Sequence, residues 1–400
     1  MAAAAVAPSG PVTCVGDKVG GVQIIADWPP GYAFALQTAG RRHQYLLLQG
    51  HAGAATLWER GDGKEATTVT KVPHLPLRTS IVEVAAGFGH WAVLTGDGNV
   101  FACGDNACGQ LGMTLEPGVR RIDQPKLVPG LTGVQHITCG HNHTVAVDKK
   151  HRPYVWGDNS CNQLGLHELR YYDAPTALSL PPVEACDAMG LGTVFVMKNG
   201  ELHAAGENHI GQLALGHWHY VRGLQQVPMG DEKACSVACG SNHFAVLTES
   251  NKVMTTSLHA GTLQIATGLQ DIVELRANQH SVLARDREGH MYCARQASVT
   301  FDRIPEIAGA NKILSSYQSC YALVVSSNDI FEVMRGRYDS HYVTEVKQYP
   351  IARPAKPAAK PKRAMGDGPY GGPRGPRGPR GPAKKARKHQ DNKENKENAD

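Results

Sequence analysis

The side chains best equipped for chemistry in this 400-residue chain are 19 histidines and 10 cysteines, and many of them recur at intervals. His90, His143, His243 and His280 recur in separate repeats, the first three closing a G-x-x-H stretch. An imidazole in such a place offers either a hydrogen bond that locks a backbone corner or a contact on a shared rim. Both readings stay open. Cys139 and Cys239 precede the repeat glycine where Ala86 and Met189 stand in other copies, and Cys108 and Cys161 occupy the site of Ile210. Exchange with Ala, Met and Ile is how a small buried thiol behaves. No C-x-x-C occurs, so the usual spacing of zinc ligands is missing, and reduced thiols suit a cytosolic or nuclear protein. His217 and His219 form a pair in a connecting loop. No nucleophile elbow, Walker loop or dinucleotide fingerprint is present. The expectation is therefore binding rather than bond-making, with no cofactor and no metal.

The elements that must position these residues are short strands. Charged residues are 19% and hydrophobic ones 42%, with 44 Gly and 24 Pro, a composition suited to strands joined by tight turns. Segments 82–112, 134–165 and 186–214 align, and 235–254 repeats their first half. Anchored on glycine, the series runs Gly87, Gly140, Gly190, Gly240. Fainter copies place Ala277 and His280, then Tyr317 and Cys320, at the glycine and histidine positions, and a worn copy around Tyr32 precedes them, for seven units. Each carries a hairpin, clearest at Asn199-Gly200, where both turn positions favour positive φ. After it comes G-[DE]-N-x-x-x-Q-L-[GA], in which Leu111, Leu164 and Leu213 are inward anchors. Repeats of about 50 residues, each a small antiparallel sheet, predict an all-β, seven-bladed β-propeller over 12–351, after a flexible N-terminus over 1–11. Residues 343–346 read as the last strand, and 13–15 are expected to complete that sheet and hide its edge.

These G-x-x-H, hairpin and W-G-x-N-x-x-x-Q-L-G units resemble the regulator of chromosome condensation family, whose members form seven-bladed propellers. The resemblance is specific over 81–214 and extends to about 255. It implies a regulatory, monomeric protein whose loop-lined rim holds a protein partner. The resemblance admits guanine-nucleotide exchange on a Ran-type small GTPase, or a non-exchanging adaptor in chromatin or cell-cycle control. Exchange-active members touch the GTPase with acidic residues in the G-x-x-H loops and a wedge in one blade. Here the loop pairs are Phe88-Gly89, His141-Asn142, Leu191-Gly192, Ser241-Asn242 and Asn278-Gln279, none acidic. The candidate rim residues are His90, His141, Asn142, His143, Asn242, His243, Asn278, Gln279 and His280.

Charge divides the chain. Residues 352–400 hold 14 Lys and Arg against five Asp and Glu, a net +9, leaving −4 over 1–351. With eight Pro, seven Gly and few apolar side chains, this tail is expected to be disordered. Lys360, Lys362 and Arg363, and Lys384, Lys385, Arg387 and Lys388, resemble nuclear-import clusters, while Arg374, Arg377 and Arg380 recur every third residue. They are candidates for nuclear entry and for contact with DNA or nucleosomes; a solvated charge run is the alternative. Lys393, Glu394, Asn395 and Lys396, Glu397, Asn398 form two KEN triplets, which resemble a degradation signal. MAAAAVAPSG lacks a basic n-region and a full apolar core, and no run of about 18 apolar residues exists. The expected setting is the nucleus, on chromatin, or the cytoplasm, away from membranes.

Overall fold

The computed structural model describes residues 81–257 and 259–314 throughout, and between 12 and 71 and between 321 and 350 chiefly the course of strands. The described elements are all strands. They form seven four-stranded antiparallel sheets and one two-stranded sheet, numbered here first to seventh in chain order. The first begins with Tyr32–Ala39, the second with Ile81–Ala86 and the third with Val134–Cys139. The fourth begins with Val183–Met189, the fifth with Ala234–Cys239, the sixth with Ile272–Ala277 and the seventh with Ala310–Leu314. The opening strand of each sheet lies against the opening strand of the next, and Ala310–Leu314 lies against Tyr32–Ala39.

The second strand of every fully described sheet is buried along most of its length, as in His143–Asp148 and Gly192–Met197. Both faces of a middle strand meet neighbouring sheets, so its sequence is nearly continuous in apolar residues. Trp156 of the third sheet packs among Leu94, Ala102 and Leu111 of the second. Cys139 and Cys239 lie within the same kind of inter-sheet core. Leu111, Leu164 and Leu213 are fully buried, each contributing roughly 1.5–3 kcal/mol.

Every opening strand carries a register shift near its start: between Ile81 and Glu83, Val134 and His136, Val183 and Ala185, in the same place in the fifth to seventh sheets, and two residues further on, between Phe34 and Leu36, in the first. A β-bulge adds a residue and re-aims the side chain after it. Here the bulged residues with described side chains, among them Val82, Gln135, Glu184 and Val273, are exposed. Glu83, His136 and Glu274, which follow them, reach neighbouring sheets instead.

The N-terminal strand departs from expectation. Val12–Val15 pairs with Val22–Ile25 as a separate hairpin. His341–Pro350 already supplies the fourth strand of the seventh sheet along the whole of Asp329–Tyr338, so the sheet reaches the same four strands as the others without 13–15. The basic segment 352–400, with its import clusters, evenly spaced arginines and KEN triplets, lies outside the described residues.

Candidate functional site: the loop rim and its histidine joints

A four-residue unit, counting the strand residues at its ends, turns the first strand into the second in each of the five described sheets, and the backbone pairing aligns these units across sheets. His90 pairs with Gly104, His143 with Gly157 and Gly192 with Gly206. The loops are therefore 87–90, 140–143, 189–192, 240–243 and 278–281. Two assignments made from glycine spacing move by one residue. Met189, not Gly190, holds the glycine position of the fourth sheet, and Gly192 holds the histidine position. In the sixth sheet Asn278 and Ser281 take those places, joined by the same Asn278 N–H to Ser281 C=O bond that links Gly140 to His143.

The first and last loop positions form joints between sheets. His90 Nε2 lies 2.9 Å from Thr144 Oγ1, and His143 Nε2 lies 3.1 Å from Thr193 Oγ1. Thr144 donates its hydroxyl proton to the Gln110 carbonyl (3.0 Å) and Thr193 to that of Gln163 (2.7 Å). Each threonine oxygen must then accept from the imidazole, which places the proton on Nε2. Nδ1 of His90, His143 and His243 is buried without a partner, so a second proton would find no acceptor. Burial accordingly pushes the histidines down, His90 and His143 to about 3 and His243 to about 4. These three are neutral structural links.

The joint also explains the glycine. A methyl at Gly140 would run into the His143 ring and stand 2.6 Å from the Met189 carbonyl oxygen. In the fourth sheet the parts are exchanged: the Met189 side chain reaches the space beside Gly192, 2.8 Å from where a Cβ would sit. In the sixth, Asn278 accepts from the Ser281 N–H and hydroxyl at 2.8 and 2.9 Å.

The loop after the third strand is closed by its asparagine and glutamine. Asn159 accepts from Leu164 N–H and donates to the Leu166 carbonyl, while Gln163 accepts from Cys161 N–H. Asn106 with Gln110 and Asn208 with Gln212 repeat the pattern. Thr144 and Thr193, the joint acceptors, carry no motif of their own in the sequence. Their signal is a hydroxyl immediately after the histidine-equivalent position.

The two middle positions of each loop form the rim. Phe88 N–H donates to His141 C=O, His141 N–H to Gly190 C=O and Gly190 N–H to Ser241 C=O, stitching neighbouring loops together. Phe88, His141, Asn142, Leu191, Ser241 and Gln279 are half-buried, and Asn242 and His280 are exposed. Phe88 and His141 rings stand 5.5 Å apart. Of the nine residues expected on the rim, His141, Asn142, Asn242, Gln279 and His280 are open. His90, His143, His243 and Asn278 are not, because their side chains fill the seams between or within sheets. His280 is a rim residue rather than the joint its spacing suggested. No carboxylate occupies a middle loop position of the five described loops. His217 and His219 stack in their loop.

Sheets, joints and stitched loops together define a repeat protein of the propeller class with a loop-lined rim. The chain is a regulator-of-chromosome-condensation-like repeat protein: the description "Regulator of chromosome condensation (RCC1) repeat" matches residues 97–147 in one form and 81–110 and 134–163 in another. It is 31% identical over 242 residues to the human probable E3 ubiquitin-protein ligase HERC6, across 56% of this chain and 23% of that protein. It spans between 18% and 54% of the lengths of the curated relatives it matches. Among solved structures it is similar to human WBSCR16, with a TM-score of 0.64 and 18% identity over 80% of this chain and 95% of that one. Prp20p of Saccharomyces cerevisiae, described with its binding properties to Gsp1p and histones, gives 0.58 and 16% over 70% and 80%. At these identities the two structures show the fold alone.

Proposed function

We propose that this protein is a nuclear, chromatin-associated adaptor whose propeller holds a protein partner on its loop rim and whose basic tail holds DNA or nucleosomes. The observation that carries the reading is the rim itself. Rigid neutral joints support an open ring of Phe88, His141, Asn142, Leu191, Ser241, Asn242, Gln279 and His280, none of them acidic. The resemblance implies that exchange-active propellers use acidic residues within these loops, so the lack of acidic residues at the middle loop positions favours binding without exchange. The second reading, exchange on a Ran-type small GTPase, rests on the resemblance of the repeats to the exchange-active members of the family. The two separate in one assay. With a Ran-type GTPase loaded with fluorescent GDP, the adaptor reading expects release at the intrinsic rate; acceleration of tenfold or more would establish exchange instead.

The tail supplies a further expected result. Six basic residues engaged on phosphates give a slope of about −0.9 each in log affinity against log salt, about three decades lost between 50 and 200 mM. Deleting 352–400 should abolish DNA binding and nuclear accumulation while leaving the melting of the sheets unchanged. Retention of both by the truncated protein would move chromatin binding onto the propeller.

A further inference from the structure

His136 differs from the joint histidines in every respect that decides protonation. The bulge at the start of Val134–Cys139 carries it sideways between two other sheets. Its Nδ1 lies 2.9 Å from Glu83 Oε1 of the second sheet, and its Nε2 lies 2.9 Å from the Cys186 carbonyl oxygen of the fourth. Neither a carboxylate nor a carbonyl can donate. A neutral imidazole would therefore set a lone pair against one of them, whereas an imidazolium satisfies both. Ile137 N–H donates to Glu83 Oε2 at 2.9 Å, which favours the ionised carboxylate and leaves the proton on the ring.

The other titratable groups around this pair are few. Asp187 of the fourth sheet accepts from Thr138 Oγ1 and from Cys239 N–H, each at 2.8 Å. The Cys186 thiol and, on the histidine's own strand, the Cys139 thiol complete the set. The His136 side chain is about a third exposed (35%); its partial burial works against the proton, but the Glu83 charge and the Cys186 contact outweigh it and hold the group above its ordinary range.

We propose that His136 is a proton-operated lock: as an imidazolium it ties the opening strands of the second, third and fourth sheets together, and losing its proton releases the tie beneath the Phe88, His141 and Leu191 loops. Because the folded protein holds this proton more tightly than the unfolded chain, the stabilisation is complete below about pH 6.5. It is lost as pH rises through the folded value, on the alkaline side. This is opposite in sign to the joint histidines of the same sheets.

The test is ring-nitrogen NMR of the wild-type protein across an alkaline titration. Both nitrogens of His136 are expected to carry protons at pH 7.5, with the amides of Phe88, His141 and Leu191 shifting at the midpoint of the His136 titration. A ring with one proton at pH 7.5, or loop amides indifferent to its titration, overturns the proposal. In variants, His136→Gln should lower the melting midpoint at pH 7, by an amount that shrinks as pH rises past the wild-type titration. Glu83→Gln should bring the His136 titration down to or below its ordinary range. A pH-independent deficit in His136→Gln would reduce the residue to simple packing. If a variant fails to fold, the wild-type titration still decides.

Discussion

Gly140→Ala should cost the protein about 3 kcal/mol or more, although it adds one methyl group to a residue in no unusual backbone conformation. The new carbon would overlap the His143 ring and press on the Met189 carbonyl, and neither can move without breaking the His143–Thr193 bond or the stitched loops. Overpacking of a close-fitting interior typically costs 1–3 kcal/mol, and more where backbone must shift. His143→Gly alone leaves a void and an unpaired threonine oxygen, for a comparable loss of about 3 kcal/mol. The double variant Gly140→Met with His143→Gly copies the Met189 and Gly192 arrangement of the fourth sheet. Its cost should fall below the sum of the single changes by about 2 kcal/mol, a coupling expected of residues that share one space. Denaturant unfolding of the wild type, Gly140→Met, His143→Gly and the double variant closes the cycle. Strict additivity would show that glycine and imidazole do not compete for the same volume.

Acid should unfold the protein unusually steeply. In the unfolded chain the three joint histidines titrate near the ordinary 6.5, while in the fold burial holds them at about 3, 3 and 4. Stability is therefore fully present above pH 6.5 and falls as the pH drops toward the folded values. Unfolding takes up as many as three protons across that window, a slope approaching 4 kcal/mol per pH unit. A typical stability of about 5–15 kcal/mol would be consumed within a few units, so unfolding is expected near pH 4. Asp187, raised by burial against its hydrogen bonds from Cys239 and Thr138, takes up a proton in the folded state and softens the lower end of the slope. The check is the denaturant midpoint measured from pH 7 to 4.5. Each substitution of a joint histidine by asparagine should remove about one proton from the slope. A flat profile would mean that these rings are already charged in the fold.

Several of these features are legible in the order of residues alone. The inward leucines 111, 164 and 213 and the buried Cys139 and Cys239 follow from which residues replace one another between copies. The hairpin at Asn199-Gly200 is also legible, but only Gly200 takes the positive φ expected of both, because the turn between Met197 and Leu202 is longer than two residues. Asn106, Asn159 and Asn208 are visible as a motif, but their task of closing a loop on Leu111, Leu164 and Leu213 is not, since a hydrogen bond across five residues has no periodic signature.

What the sequence by itself determined is the succession of strands, turns and loops, because each depends on a few neighbouring residues and repeats along the chain. What only the tertiary structure decided is which loop residue seals a seam and which faces solvent. A one-residue offset, as at Met189 and Asn278, exchanges those two fates. Spacing misplaced them because packing between sheets requires only that a volume be filled and its polar atoms paired. Gly140 with His143, Met189 with Gly192, and Asn278 with Ser281 meet that demand by different means. The charge of His136 was equally out of reach: Glu83 and Cys186 are distant in sequence, and only the packing of three sheets brings both against one imidazole.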